Sequence, residues 1–114
     1  SDTIYDIKKQ ISYTESTNLD EYISDLDVLY VTRIQKERFP DEEEYVKVKG
    51  SYVIDSTMVK KMKDDAIIMH PLPRVDEISV DVDSTKQARY FEQAEYGKYT
   101  RAALLGLILN KNGF

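Results

Sequence analysis

The sequence predicts an α/β fold in which a parallel sheet is flanked by helices. Three observations carry this. Val28 to Thr32 is a continuous, β-branched apolar run, the pattern of a parallel strand covered on both faces. Ala66 to Met69 is a second short apolar run. Between and around these runs, polar stretches carry helix-start and helix-stop residues.

Taken in order, Asp2 or Thr3 caps a first helix through about Lys9, and Gln10 to Tyr13 reads as a short strand. Asn18 caps a helical turn from Leu19 to Ser24, which leads into the strand Val28 to Thr32. Arg33 to Glu44 is polar, with Pro40 inside it and four acids in a row from Asp41 to Glu44. It reads as a long mobile loop, followed by a short helix over Glu43 to Lys49 that Gly50 ends. Tyr52 to Ile54 is a strand. Asp55 or Ser56 caps Thr57 to Lys63, whose lysines sit near the end that the helix dipole favours. After the strand Ala66 to Met69 come prolines, then a loop around Val80 and Val82. Ser84 or Thr85 caps a helix over Lys86 to about Glu95. Gly97 then separates it from a last helix over Lys98 to Leu109. Ala102 to Leu109 is apolar nearly all round, so this last helix is expected to pack on something outside the 114 residues.

Composition narrows the function. The chain is 41% apolar and 32% charged, which is globular rather than disordered. A net charge of −5 argues against nucleic acid or an anionic membrane surface as the main partner. With no cysteine, disulfides, thiolate metal sites and cysteine nucleophiles are excluded, and an intracellular, cytoplasmic compartment is expected. One histidine is too few for a histidine-rich metal site. No run of about 18 apolar residues is present, so no transmembrane helix is expected. Most of the nine tyrosines should pack their rings at the edge of the core.

The segment His70-Pro71-Leu72-Pro73-Arg74-Val75-Asp76-Glu77-Ile78 is the most informative one. Proline fixes φ and removes a donor, and X-Pro bonds tolerate the cis form. The result is a stiff run of carbonyl acceptors at the exit of a strand. Arg33 follows the other strand, at the carboxyl end where open α/β sheets bind ligands. Its planar fork suits a carboxylate. In extended Arg33-Ile34-Gln35, the first and third side chains share a face. Taken alone, Arg33 with Glu37 would be a surface pair of little consequence, and Pro71 to Pro73 a stiffened turn.

Val28 through Phe39, followed by Met69-His70-Pro71-Leu72-Pro73-Arg74-Val75-Asp76-Glu77, resembles the catalytic chain of the aspartate carbamoyltransferases. The likeness covers essentially all 114 residues and places them in the C-terminal part of a longer, two-domain chain. It implies a Rossmann-like domain over residues 1–85, with C-terminal helices over 86–114 bridging to an N-terminal carbamoyl phosphate domain outside these residues. It also implies transfer of a carbamoyl group from carbamoyl phosphate to L-aspartate, in pyrimidine biosynthesis, without a cofactor.

By the same resemblance, Arg33 and Gln35 contact aspartate and Glu37 holds Arg33. Backbone carbonyls of Pro71 and Leu72 receive the carbamoyl nitrogen, Leu72 also approaches the aspartate amine, and the Leu72-Pro73 bond is cis. Arg38 stabilises domain closure. Glu44 and Tyr45 switch partners between low- and high-activity states, Tyr45 meeting Asp76 in the former. His70 is expected to be structural. Pro71 stands where the related ornithine enzymes carry cysteine, which implies aspartate as second substrate. The implied partners are the rest of the catalytic chain, two further copies in an allosteric homotrimer, and zinc-containing regulatory chains as an option. The 114 residues lack the family's phosphate-binding segment and catalytic histidine, so alone they are expected to be inactive. Two other readings stay open: an inactive carbamoyltransferase-like regulatory module, and a carbamoyltransferase for another amino acid.

Overall fold

The computed structural model describes residues 11–33, 40–43 and 53–110. Two strands, β1 (Val28–Tyr30) and β2 (Ile67–Met69), form a parallel pair with Val28 opposite Ile67, Leu29 opposite Ile68 and Tyr30 opposite Met69. A last rung joins the Val31 N–H to the Met69 carbonyl at 2.9 Å. The crossover between them carries helix α1 (Ser56–Val59). Asp55 caps α1, its carboxylate accepting from the Met58 N–H at 2.8 Å, as the sequence predicts.

The pairing extends through single bridges. Ile54 pairs in parallel with Ile78, and Ile68 with Ala88. The Ile68 N–H donates to the Gln87 carbonyl at 2.7 Å, and the Arg89 N–H returns to the Ile68 carbonyl at 3.0 Å. β2 is therefore flanked by β1 on one side and by extended chain on the other. Inward side chains from these pieces make one core around Ile23, Leu29, Ile54, Ile68, Ile78 and Val82. Each of these gains about 1.5–3 kcal/mol from burial. Tyr90 joins them, fully buried.

Several expectations need correction. Residues 11–13 form no strand. Asn18 does cap a turn, but it is a short 3₁₀ turn over Leu19–Glu21. The loop around Val80 is a 3₁₀ turn, Val80–Ser84. The two C-terminal helices are one: α2 spans Tyr90–Leu109 without interruption. Its start is late because Gln87 and Arg89 are spent on the bridge to Ile68. Gly97 does not break it. A helical glycine costs about 1 kcal/mol relative to alanine, which lowers stability without ending the hydrogen-bond ladder. The Arg101 guanidinium lies 3.1 Å from where a Cβ on Gly97 would stand, so the bare backbone leaves room for that side chain.

Among the described residues, one face of the sheet is covered and the other is open. Leu29 and Ile68 are buried, whereas Val28 and Tyr30 are about half exposed. Beyond Ile67 and Met69 an open groove of about 600 Å³ runs along α2, lined also by Gln93, Tyr96 and Thr100. It contains none of the site residues expected from the sequence. The last turns of α2 are bare: Leu105, Leu107, Ile108 and Leu109 are all more than half exposed. Among the described residues no helix is long and apolar enough to cross a membrane.

Candidate functional site

Parallel pairing puts the exits of β1 and β2 at the same edge. Arg33 lies three residues past Tyr30, and Pro71 two past its partner Met69. The arginine and the proline segment are thus brought together at the carboxyl edge of the sheet, where open α/β sheets bind ligands. Arg33, Pro71 and Pro73 are exposed, Leu72 is half-buried, and Asp76 is exposed nearby. A pocket of about 190 Å³ opens at this end of β1, between Val31, Thr32, Ile54 and Glu77. Gln35, Glu37, Arg38, Glu44 and Tyr45 lie outside the described residues.

The proline segment is held in an unusual shape. The Leu72-Pro73 bond is cis, as expected, and Leu72 has φ 51°, the left-handed region that a leucine rarely enters. That conformation costs about 1–2 kcal/mol and persists where the surroundings enforce it. Here His70 and Glu77 enforce it. His70, 1% exposed, accepts the Leu72 N–H at Nδ1 over 2.8 Å. Its Nε2 lies 2.6 Å from Glu77 Oε1, and Glu77 Oε2 accepts the Val75 N–H at 3.1 Å. The His70 N–H donates to Gln93 Oε1 on α2 at 3.0 Å. Burial alone would push the Glu77 carboxyl up. Hydrogen bonds from its own N–H, from Val75 and from His70 outweigh that and hold it below its ordinary value.

Further along, Arg74 is committed to structure. Its guanidinium forks onto both oxygens of Asp83, the second contact at 2.6 Å. It also lies over the Tyr90 ring, 5.7 Å from the centroid. The Tyr90 hydroxyl donates to Asp83. The Arg74 hydrogen bonds, set against partial burial, hold Asp83 below the usual carboxylate range. Burial, then the bond to Asp83, pushes the Tyr90 phenol up to about 12.

Glu77 and Gln93 were not singled out by the sequence reading. Glu77 lies within the His70–Ile78 segment, but nothing local marks it as the partner of His70. Gln93 is distant in sequence and visible only through the fold. Among the described residues no cluster of three or more metal-ligating side chains exists.

An open parallel sheet with a guanidinium and a locked main-chain segment at its carboxyl edge defines an α/β ligand-binding domain. The chain belongs to the aspartate/ornithine carbamoyltransferase family: the family model for its Asp/Orn binding domain matches residues 2–108. The aspartate carbamoyltransferase catalytic subunit of Nitrosopumilus maritimus is 74% identical over the whole chain, and that of Archaeoglobus fulgidus 57% identical over 95% of it. Among solved structures, the catalytic subunit of M. jannaschii aspartate transcarbamoylase superposes with a TM-score of 0.80 at 56% identity, over 99% of this chain and 37% of that one. Aspartate transcarbamoylase from Trypanosoma cruzi in complex with carbamoyl phosphate and aspartate superposes over 75% of this chain and 28% of that one, with a TM-score of 0.67 at 43% identity. The chain spans 37% of the length of the Nitrosopumilus relative and 35% of the Archaeoglobus one.

Proposed function

We propose that this chain is the aspartate-binding portion of an enzyme that carbamoylates L-aspartate with carbamoyl phosphate. The amine of aspartate attacks the carbamoyl carbon, a tetrahedral intermediate forms, and phosphate leaves as the amine gives up a proton. Positioning two polyanions and stabilising developing charge supply most of the acceleration. Arg33 grips an aspartate carboxylate through its fork, with Gln35 beside it and Glu37 orienting it. The Pro71 and Leu72 carbonyls accept from the carbamoyl nitrogen, and Leu72 also meets the incoming amine. Pro73 stiffens that wall. Arg38 steadies the closed form, and Glu44, Tyr45 and Asp76 form the switch.

The observation that carries this reading is the shared edge at which Arg33 and the Pro71–Pro73 segment leave neighbouring parallel strands. The high identity to catalytic subunits supports an active enzyme over an inactive regulatory module. In this reading residues 1–85 belong to the aspartate domain. The bare apolar end of α2, within residues 86–114, bridges to the carbamoyl phosphate domain. The working form is a cytoplasmic homotrimer of the pyrimidine pathway, open to allosteric control by zinc-containing regulatory chains.

Replacing Arg33 with alanine in the full-length catalytic chain tests it. Loss of a charged two-point contact should lower kcat/KM for aspartate by about 30- to 1,000-fold, or about 2–4 kcal/mol. Steady-state kinetics with aspartate varied would read this directly. Near-normal aspartate kinetics would refute the assignment.

A further inference from the structure

The imidazole of His70 touches no exposed surface, yet it is wired to the segment that forms one wall of the proposed site. A backbone N–H can only donate, so His70 Nδ1, at 2.8 Å from the Leu72 nitrogen, must be an unprotonated acceptor. The ring proton then sits on Nε2 and is donated to Glu77 Oε1 at 2.6 Å. Glu77 is ionised for this purpose. Its second oxygen is occupied by the Val75 N–H, so the carboxylate cannot turn away without breaking another bond.

The consequence lies in one peptide plane. The Leu72 N–H and the Pro71 carbonyl belong to the same trans peptide and point in opposite directions. Fixing the N–H onto a buried ring therefore fixes the carbonyl outward, on the side away from His70. The same bond stabilises the left-handed Leu72, which has no glycine-like freedom of its own. Gln93 holds the His70 main chain from α2, so the ring has a fixed base.

We propose that His70 is a positioning residue: its imidazole, kept by Glu77 as the Nε2–H tautomer, aims the Pro71 carbonyl at the carbamoyl group through the Leu72 N–H. This role rests on the reading that the Pro71 and Leu72 carbonyls receive the carbamoyl nitrogen.

Two substitutions separate the two ring nitrogens. In His70→Asn the amide oxygen can replace Nδ1 as the acceptor for Leu72, while the link to Glu77 is lost. In His70→Gln the longer amide can reach Glu77, while the acceptor for Leu72 is lost. A third, Glu77→Gln, can turn its amide N–H towards Nε2, which moves the ring proton to Nδ1 and removes the acceptor. All three are measured in the full-length catalytic chain by kcat, KM for each substrate, melting temperature and nitrogen NMR of the imidazole.

His70→Gln and Glu77→Gln should lose kcat by about 10- to 100-fold, the scale of a reacting group misplaced by an ångström. The loss in His70→Asn should be smaller by roughly tenfold. Melting temperatures should fall together in the two His70 variants, since each breaks one bond to the same buried site. A purely structural histidine would make activity follow melting temperature. Equal kcat losses in His70→Asn and His70→Gln would overturn the positioning role. So would a wild-type imidazole protonated on Nδ1, whatever the substrates are. Failure of the proposed function is seen separately: near-normal aspartate kinetics in Arg33→Ala would refute that reading, and the imidazole tautomer is read without any substrate.

Discussion

The Arg74, Asp83 and Tyr90 cluster should make a large polar contribution to the stability of this domain. Asp83→Ala is the perturbation that isolates it. Asp83 accepts two bonds from the Arg74 guanidinium and one from the Tyr90 hydroxyl. Arg74 and Asp83 are only 17% and 28% exposed at their side chains, and Tyr90 is fully buried. A fully buried pair loses about 3–5 kcal/mol when one partner is removed, and an exposed one under about 1 kcal/mol. This cluster lies between, nearer the buried limit, so Asp83→Ala should cost about 2–4 kcal/mol. Tyr90→Phe removes two bonds, one donated to Asp83 and a long one accepted from Arg74 at 3.3 Å, and leaves the ion pair, at a cost of about 1–2 kcal/mol.

Urea denaturation of the catalytic chain would rank the two variants. The phenol adds a pH signature. Its pKa is raised from 10.0 to about 12 in the folded state, so the folded protein holds the proton more tightly than the unfolded chain. That contribution is fully present below pH 10 and is lost as pH rises towards 12. Ionising the buried phenol over that range lowers stability by on the order of 2–3 kcal/mol, a quantity distinct from the bonds that Tyr90→Phe removes at neutral pH. In Asp83→Ala the tyrosinate absorbance should titrate at lower pH than in the wild type. A cost below about 0.5 kcal/mol, or a Tyr90→Phe variant less stable than Asp83→Ala, would refute the reasoning.

Two further outcomes follow from the core and the caps. Ile68→Ala removes a fully buried side chain from the middle of the core and should cost about 2–5 kcal/mol in equilibrium denaturation. Asp55→Ala deletes the bond to the Met58 N–H and should cost about 1 kcal/mol, with amide exchange fastest at the start of α1.

Much of the fold was legible because its signals are local. Val28 to Tyr30 and Ile67 to Met69 are short apolar runs, and their character alone indicates a parallel pair. Asp55 sits three residues before the N–H it caps. The start of α2 was not legible. Lys86 to Arg89 has good helix residues, but the sheet edge of Ile68 claims the backbone of Gln87 and Arg89, and tertiary pairing overrides local preference. Gly97 does not act as a stop, because the helix hydrogen bonds run on through it. At the site, the proline segment and Arg33 announce themselves by residue type. The support beneath them does not. His70 and Glu77 are seven residues apart with no periodicity to join them, and Gln93 reaches back from another element.

The uncovered end of α2 has a consequence for how such a chain becomes ordered. Tyr90 is the one buried residue of the helix, Gln93 ties it to the His70 main chain, and Leu105, Leu107, Ile108 and Leu109 are left exposed. Most helical stability in proteins comes from packing of a face, so an unpacked helix end is its least protected part. On the proposed reading that this end bridges to the carbamoyl phosphate domain, docking would add the packing that the last turns lack and couple their stability to assembly. Amide exchange along the helix would fall steeply on docking, in its last three turns and not its first. The helix end serves as a gauge of assembly, read without any measurement of catalysis.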